Sequence, residues 1–311
     1  MRRIYVVLVA VVTVAAAAAM SCGVLPFGLD PARVGVNVPA GGPLPLAVEP
    51  DPDDPPEMDL TVPPVALAPP GGAIIQQGLV RIPKPKFDPT APRRVGIQVG
   101  HWHTDDVPTE YGTRIITQTG ASWAGYDEVD LNMDVAERLA TLLRAQGLAV
   151  DILPTTVPPG YLADAFIALH ADSDGVGELS GFKMAHSTRR GRYEDRLMAD
   201  VKATYAAETG LDYDSEHVTR AMTNLYSFNW SRYQHATSPF TPSVILEMAF
   251  ISNRGDLSLL VDHPDRVAVA IANGILKFLD ETPRSKIFGE DLLIPQAPIR
   301  QGQAASPSPG R

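Results

Sequence analysis

From Arg94 to Leu279 the chain alternates between two hydrophobic periods. Short apolar runs of strand length recur as RVGIQV (94–99), LAVDIL (148–153), DAFIALHAD (164–172), GFKMAH (181–186) and PSVILEMAF (242–250). Between them lie longer stretches with helical spacing. In DLNMDVAERLATLLRAQG (130–147) the apolar positions Leu131, Val135, Leu139, Leu142 and Leu143 share one face, and Gly147 is a stop signal. YEDRLMADVKATYAAETG (193–210) and PDRVAVAIANGILKFL (264–279) read as two further helices. Strands alternating with helices predict a single α/β domain. Its sheet is mostly parallel or mixed, flanked by helices, and spans residues 93–281. In such sheets ligands bind beyond the carboxyl ends of the strands.

The flanks break this pattern. Residues 23–92 hold 17 of the 29 prolines. Proline lacks an amide donor and fixes φ, so this stretch reads as a semi-stiff linker. Within it, GGAIIQQGLVRI (71–82) is a candidate short strand packing on the domain. Residues 282–311, ending in QGQAASPSPGR, read as a flexible tail. At the other end, Arg2 and Arg3 precede the uncharged apolar run Ile4–Met20, and residues 1–22 read as an export signal or membrane anchor. Cys22, the only cysteine, follows that run as in a lipoprotein acceptor site, although Ala19 and Met20 fit such a site imperfectly. A lipid anchor, an uncleaved apolar anchor and ordinary cleavage all stay open. Each puts the domain outside the cytoplasm, in the cell envelope, with a tether to the outer face of the membrane as the expectation.

Composition narrows the function classes. The chain has 311 residues and a net charge of −10, with no dense basic block. That excludes the positive stripe a nucleic-acid binder needs. A lone cysteine excludes an intramolecular disulfide.

Polar residues that interrupt the strand ends carry the candidate chemistry. His101 follows the first strand of the domain, in QVGHWH. His170 lies near the end of FIALHAD, Glu247 lies in VILEMAF, and Glu128 stands at the start of the first long helix. Two imidazoles and two carboxylates suit a catalytic zinc with three protein ligands, an open position for water, and a nearby base. Each also has a structural role open to it: Glu128 as a helix-dipole partner, His170 as a satisfied strand-end histidine, Glu247 as half of a buried ion pair, His101 and His103 as loop residues.

The four phrases taken together resemble the zinc-dependent N-acetylmuramoyl-L-alanine amidases of the Amidase_3 type, over about residues 93–280 and in the same order. The resemblance implies His101, Glu128 and His170 as zinc ligands and Glu247 as the catalytic residue. The implied substrate is peptidoglycan, cut between N-acetylmuramic acid and L-alanine. Since three ligands are already supplied, His103 is expected to lie outside the metal set. The departures are specific. Gln98-Val99-Gly100-His101-Trp102-His103 stands where the family usually has Asp-Pro-Gly-His-Gly-Gly. Asp172 stands for an Asn, and Ala249 for a Gly. Bulky Trp102 and His103 are expected to reshape the cleft. Two other readings remain: a wall-binding envelope protein without catalysis, and a zinc hydrolase acting on another amide. Whether a protein activator takes part is open.

Overall fold

The computed structural model describes residues 74–76, 79–189 and 191–295. Its centre is a five-stranded sheet of β3 (Arg94–Val99), β6 (Ala149–Leu153), β7 (Ala165–Asp172), β8 (Lys183–Ala185) and β9 (Ser243–Phe250), in the order β6-β3-β7-β9-β8. Four strands are parallel and the edge strand β8 runs antiparallel to β9. The sheet is therefore mixed, as the pattern allowed. The predicted helices form as α1 (Glu128–Ala145), α2 (Glu194–Thr209) and α5 (Pro264–Glu281). Shorter elements complete the domain: the hairpin β4 (Ser122–Trp123) with β5 (Tyr126–Asp127), α3 (Arg220–Thr223), α4 (Arg254–Asp262) and α6 (Arg284–Phe288).

Strand periodicity divides the core in two. Val95, Ile97 and Val99 of β3, Ile167, Leu169 and Ala171 of β7, and Val244, Leu246 and Met248 of β9 pack with the helices. Alternate positions, among them Phe166, Ala168, Ala185 and Ile245, face a second cluster built with Val157, Tyr161, Met222 and Phe228 from loops and α3. His170, Glu247 and Lys183 continue this second set at two-residue spacing. They belong to the face that loops cover, not the face that helices cover. Helices α2 and α5 meet closely at Gly274, where an added Cβ would come 2.5 Å from Val201 Cα.

Order extends past both expected bounds of the domain. β1 (Ile74–Gln76), β2 (Leu79–Ile82) and β10 (Leu292–Pro295) form a separate antiparallel sheet with β2 in the middle. GGAIIQQGLVRI thus supplies a hairpin rather than one strand. The segment after Thr282, expected to be loose, is helical and then extended. The cause is apolar content that its Gly and Pro neighbours mask: Ile82, Ile287, Phe288 and Leu292 are all buried in the main core, and the Phe87 and Phe288 rings lie 5.5 Å apart. Arg81 pairs with Asp291, and Lys84 N–H donates to the same carboxylate at 2.9 Å. The apolar run 4–20, Cys22 and most of the proline-rich segment lie outside the described residues. Among the described residues no helix is long and apolar enough to cross a membrane.

Candidate metal centre

β3 ends at Val99, and the chain turns over Gly100 to place His101 at the carboxyl edge of the sheet. His101 adopts φ +63° and His103 φ +58°, a left-handed conformation that costs a residue with a Cβ free energy and tends to mark functional turns. His101 Nδ1–H donates to the Gln118 carbonyl at 2.9 Å. That bond orients the ring so that Nε2 faces Glu128 Oε1 at 3.3 Å.

Glu128 is the first residue of α1, where the helix dipole favours an anion. It is 4% exposed. Its backbone N–H donates to Ala121 O at 2.8 Å, and Ala121 N–H returns a bond to Glu128 Oε2 at 2.9 Å. The β4–β5 hairpin therefore closes on this carboxylate. Oε1 accepts from Ala171 N–H at 3.1 Å, from Asn132 Nδ2 at 3.3 Å and from His170 Nδ1 at 3.2 Å. Burial alone would raise the Glu128 carboxyl. The charges of His101 and His170 and their hydrogen bonds outweigh burial and hold it well below the usual carboxylate range.

His170 is 3% exposed and sits edge-on to His101, ring centroids 4.8 Å apart. Its Nε2 is buried with no hydrogen-bond partner. One ligand atom from each of His101, Glu128 and His170 lies within 4.8 Å of the others. An unpartnered buried imidazole nitrogen on His170, beside a buried carboxylate, is costly without a cation. The donor set, two nitrogens and one oxygen, is that of a catalytic zinc site, so the residues fit a metal.

Two glycines make the space. A Cβ at Gly100 would lie 2.5 Å from His170 Cε1, and one at Gly120 would lie 3.1 Å from both Glu128 Oε2 and the His101 ring. Gly120 also needs its φ of +86°. Gly100 was read in the Gly-His context of the first motif, whereas Gly120 and the carbonyl of Gln118 escaped the sequence reading. A lone glycine eight residues before a helix-opening Glu was the available signal for Gly120.

Glu247 is on β9, 4% exposed, and pairs in register with His170 on β7. Residues directly opposite in a sheet present their side chains to the same face, so Glu247 stands in the row that contains the metal-ligand candidate. His103 is far more open, its side chain 58% exposed, its ring tilted against Trp102 with centroids 4.8 Å apart. It is not part of the clustered set. Trp102 is half-buried against the helical core. Two loops fence this face. Glu110 accepts from the N–H groups of Gln234 and His235 at 2.9 and 2.8 Å, and from His235 Nδ1 at 2.7 Å.

Comparison with known proteins places the chain in a family. Residues 95–277 match the family profile described as N-acetylmuramoyl-L-alanine amidase. The amidase LytC of Bacillus subtilis is 27% identical over 175 residues, which is 51% of this chain and 33% of that protein. The Bacillus subtilis protein YqiI is 25% identical over 178 residues, 52% of this chain and 80% of that one. The chain thus spans a third of the first relative and four-fifths of the second. The crystal structure of the N-acetylmuramyl-L-alanine amidase Ami1 from Mycobacterium smegmatis aligns with 61% of this chain and 98% of its own, at 21% identity and a TM-score of 0.48. With the family profile matched across most of the described domain, the chain belongs to the N-acetylmuramoyl-L-alanine amidase family.

Proposed function

We propose that this protein is a zinc-dependent N-acetylmuramoyl-L-alanine amidase that hydrolyses the amide between N-acetylmuramic acid and L-alanine of the peptidoglycan stem peptide. The observation that carries this reading is the convergence of His101, Glu128 and His170, with Glu247 directly across from His170. His101 Nε2, a Glu128 oxygen and a His170 ring nitrogen would hold the ion. When bound there, zinc supplies a water made acidic enough to ionise near neutral pH and an electrophile for the amide carbonyl. Glu247 takes the proton from the attacking water and then delivers it to the L-alanine nitrogen as the C–N bond breaks, so that nitrogen leaves as a neutral amine. The Ala121 and Ala171 N–H groups keep the Glu128 carboxylate oriented through the cycle. Gln118 keeps the His101 ring oriented.

The same proposal places the domain outside the cytoplasm. Arg2 and Arg3 before the apolar run, and the long proline-rich segment after it, support export and a tether at the membrane outer face. Incubating the purified protein with isolated cell walls and analysing the soluble fraction by mass spectrometry tests the activity. Free stem peptides beginning with L-alanine are expected. Retention on walls with no peptide released would favour the wall-binding reading. Release of other fragments would point to another amide.

A further inference from the structure

The row that holds His170 and Glu247 contains a third charged residue. β8 runs antiparallel to β9, so its first residue lies at the same sheet edge as the late residues of the parallel strands. That residue is Lys183, and it pairs in register with Glu247. The three side chains His170, Glu247 and Lys183 therefore stand side by side on the loop-covered face, with neighbouring Cβ atoms about 4.5–5.5 Å apart as in any such pair. Lys183 is 2% exposed. Its ammonium contacts Asp172 Oδ2 and lies 5.2 Å from the centre of the Phe250 ring. Asp172 follows His170 by two residues, at the bulge where β7 leaves its register with β9. Its side chain is 31% exposed, at the rim.

An ammonium taken out of water is costly unless anions compensate it. Here the chain places one carboxylate at the rim in contact with it and one, Glu247, directly across the strand pair. A lysine needed only to fill space is better replaced by an apolar residue, as its neighbours Phe182 and Met184 show at 0% and 1% exposure. We propose that Lys183 is a positioning residue for the hydrolysis. Anchored by Asp172, its ammonium holds the Glu247 carboxylate in the orientation that serves the metal-ligand side of the row. This rests on the reading of Glu247 as proton carrier. A base that can swing away from the reacting water loses rate and not substrate affinity, so the signature is a fall in kcat at unchanged KM.

The test compares wild type, Lys183→Met, Lys183→Arg and Asp172→Asn, each loaded with zinc, on a soluble muramoyl peptide. Methionine keeps the stem volume and removes the charge. The Met variant is expected to lose on the order of 10–10²-fold in kcat, with KM within about twofold and with wild-type zinc content. Arginine restores part of the kcat. Asp172→Asn, at a half-exposed rim position, falls in the same direction by less, and it decides the matter if the Met variant does not fold. Unchanged kcat in Met and Asn variants overturns the assignment, as does a kcat loss that merely follows lost zinc, or no recovery with arginine. Wild-type enzyme that releases no L-alanyl peptide overturns the activity reading itself, and this assignment with it; active wild type with unaffected variants overturns only the assignment.

Discussion

Two buried carboxylates sit at opposite edges of the same sheet, and they are satisfied in different ways. Asp164, just before β7 at the amino edge, is 1% exposed. It accepts from Arg93 Nε and Arg284 Nε at 2.9 Å, from Arg284 Nη2 at 2.7 Å and from the Arg94 N–H at 2.8 Å. Both guanidiniums also donate to nearby carbonyls: Arg93 to Leu279 and Thr282, and Arg284 to Asp88, Ala91 and Pro92. Glu128, at the carboxyl edge, is equally buried, but its side-chain partners are Asn132 and two imidazoles, and one of those imidazoles keeps an unpartnered nitrogen. The first carboxylate is closed by fixed charges within the chain. The second is arranged around something more. A buried charge whose partners are complete serves the fold, whereas one whose neighbours lack a cation points to a ligand.

Exchanging single groups at the two edges should separate chemistry from stability. The largest effect is expected at Glu247. Glu247→Gln should lower turnover on the order of 10²–10⁴-fold while the protein keeps its zinc. Full activity in that variant would mean that another group carries the proton. At the amino edge the reverse holds. Asp164→Asn leaves two guanidiniums without their anion and should cost about 3 kcal/mol of stability. That is a drop of roughly 6–12 °C in Tm for a domain of this size, with zinc content unchanged. Calorimetry with metal analysis on one sample reads both.

A smaller effect is expected from Gly100→Ala. The new Cβ would press on the His170 ring, and weakening of zinc affinity by about 10–100-fold follows from a displaced ligand. Equilibrium competition with a chelator measures it, and an unchanged affinity would show that the ring has room to move. His103→Ala should change zinc content least of all; stripping as complete as in His101→Ala would make His103 a ligand.

Acid sharpens the same contrast. Burial raises the Asp164 carboxyl, but the hydrogen bonds from Arg284 and the Arg94 backbone and the charges of Arg93 and Arg284 outweigh it and hold it below its ordinary 3.8. A carboxyl lowered in the folded state contributes stability that is fully present above the unfolded pKa. That contribution is lost as pH falls from about 3.8 through the folded value. Metal-free Asp164→Asn protein should therefore show a shallower loss of stability below about pH 4 than metal-free wild type. Identical slopes would mean that the pair carries no proton linkage.

The strands and long helices of this fold were legible because β3, β7 and β9 are apolar runs buried on both faces, while α1 and α5 bury one face at the helical period. The ends were not. LLIP in β10 and RSKIF in α6 are too short to establish a period, and their burial depends on partners more than 200 residues earlier, such as Arg81 with Asp291. The antiparallel direction of β8 was equally hidden, since three residues carry no record of direction. In the site, His101, Glu128, His170 and Glu247 could be named because polar residues at strand ends and helix starts stand out. Lys183 could have been found by the argument that singled out Glu247. It is a charge between apolar neighbours in a strand, and only the three-residue length of that strand hid it. What the sequence did not carry was clearance: Gly100 and Gly120 matter through atoms of residues far along the chain.

The small sheet of β1, β2 and β10 has a mechanical consequence. The chain enters through β1, turns, and runs back as β2, with Ile74 opposite Arg81 at the open end of the hairpin. Tension arriving along the N-terminal segment therefore loads that pair first and opens the hairpin one rung at a time, as a zip opens. β2 stays behind, held by β10 on its other side and by Ile82 in the core. A pull from that direction frees the few residues of β1 before β2 gives way. The hairpin is a fuse between the N-terminal segment and the strand that carries His101.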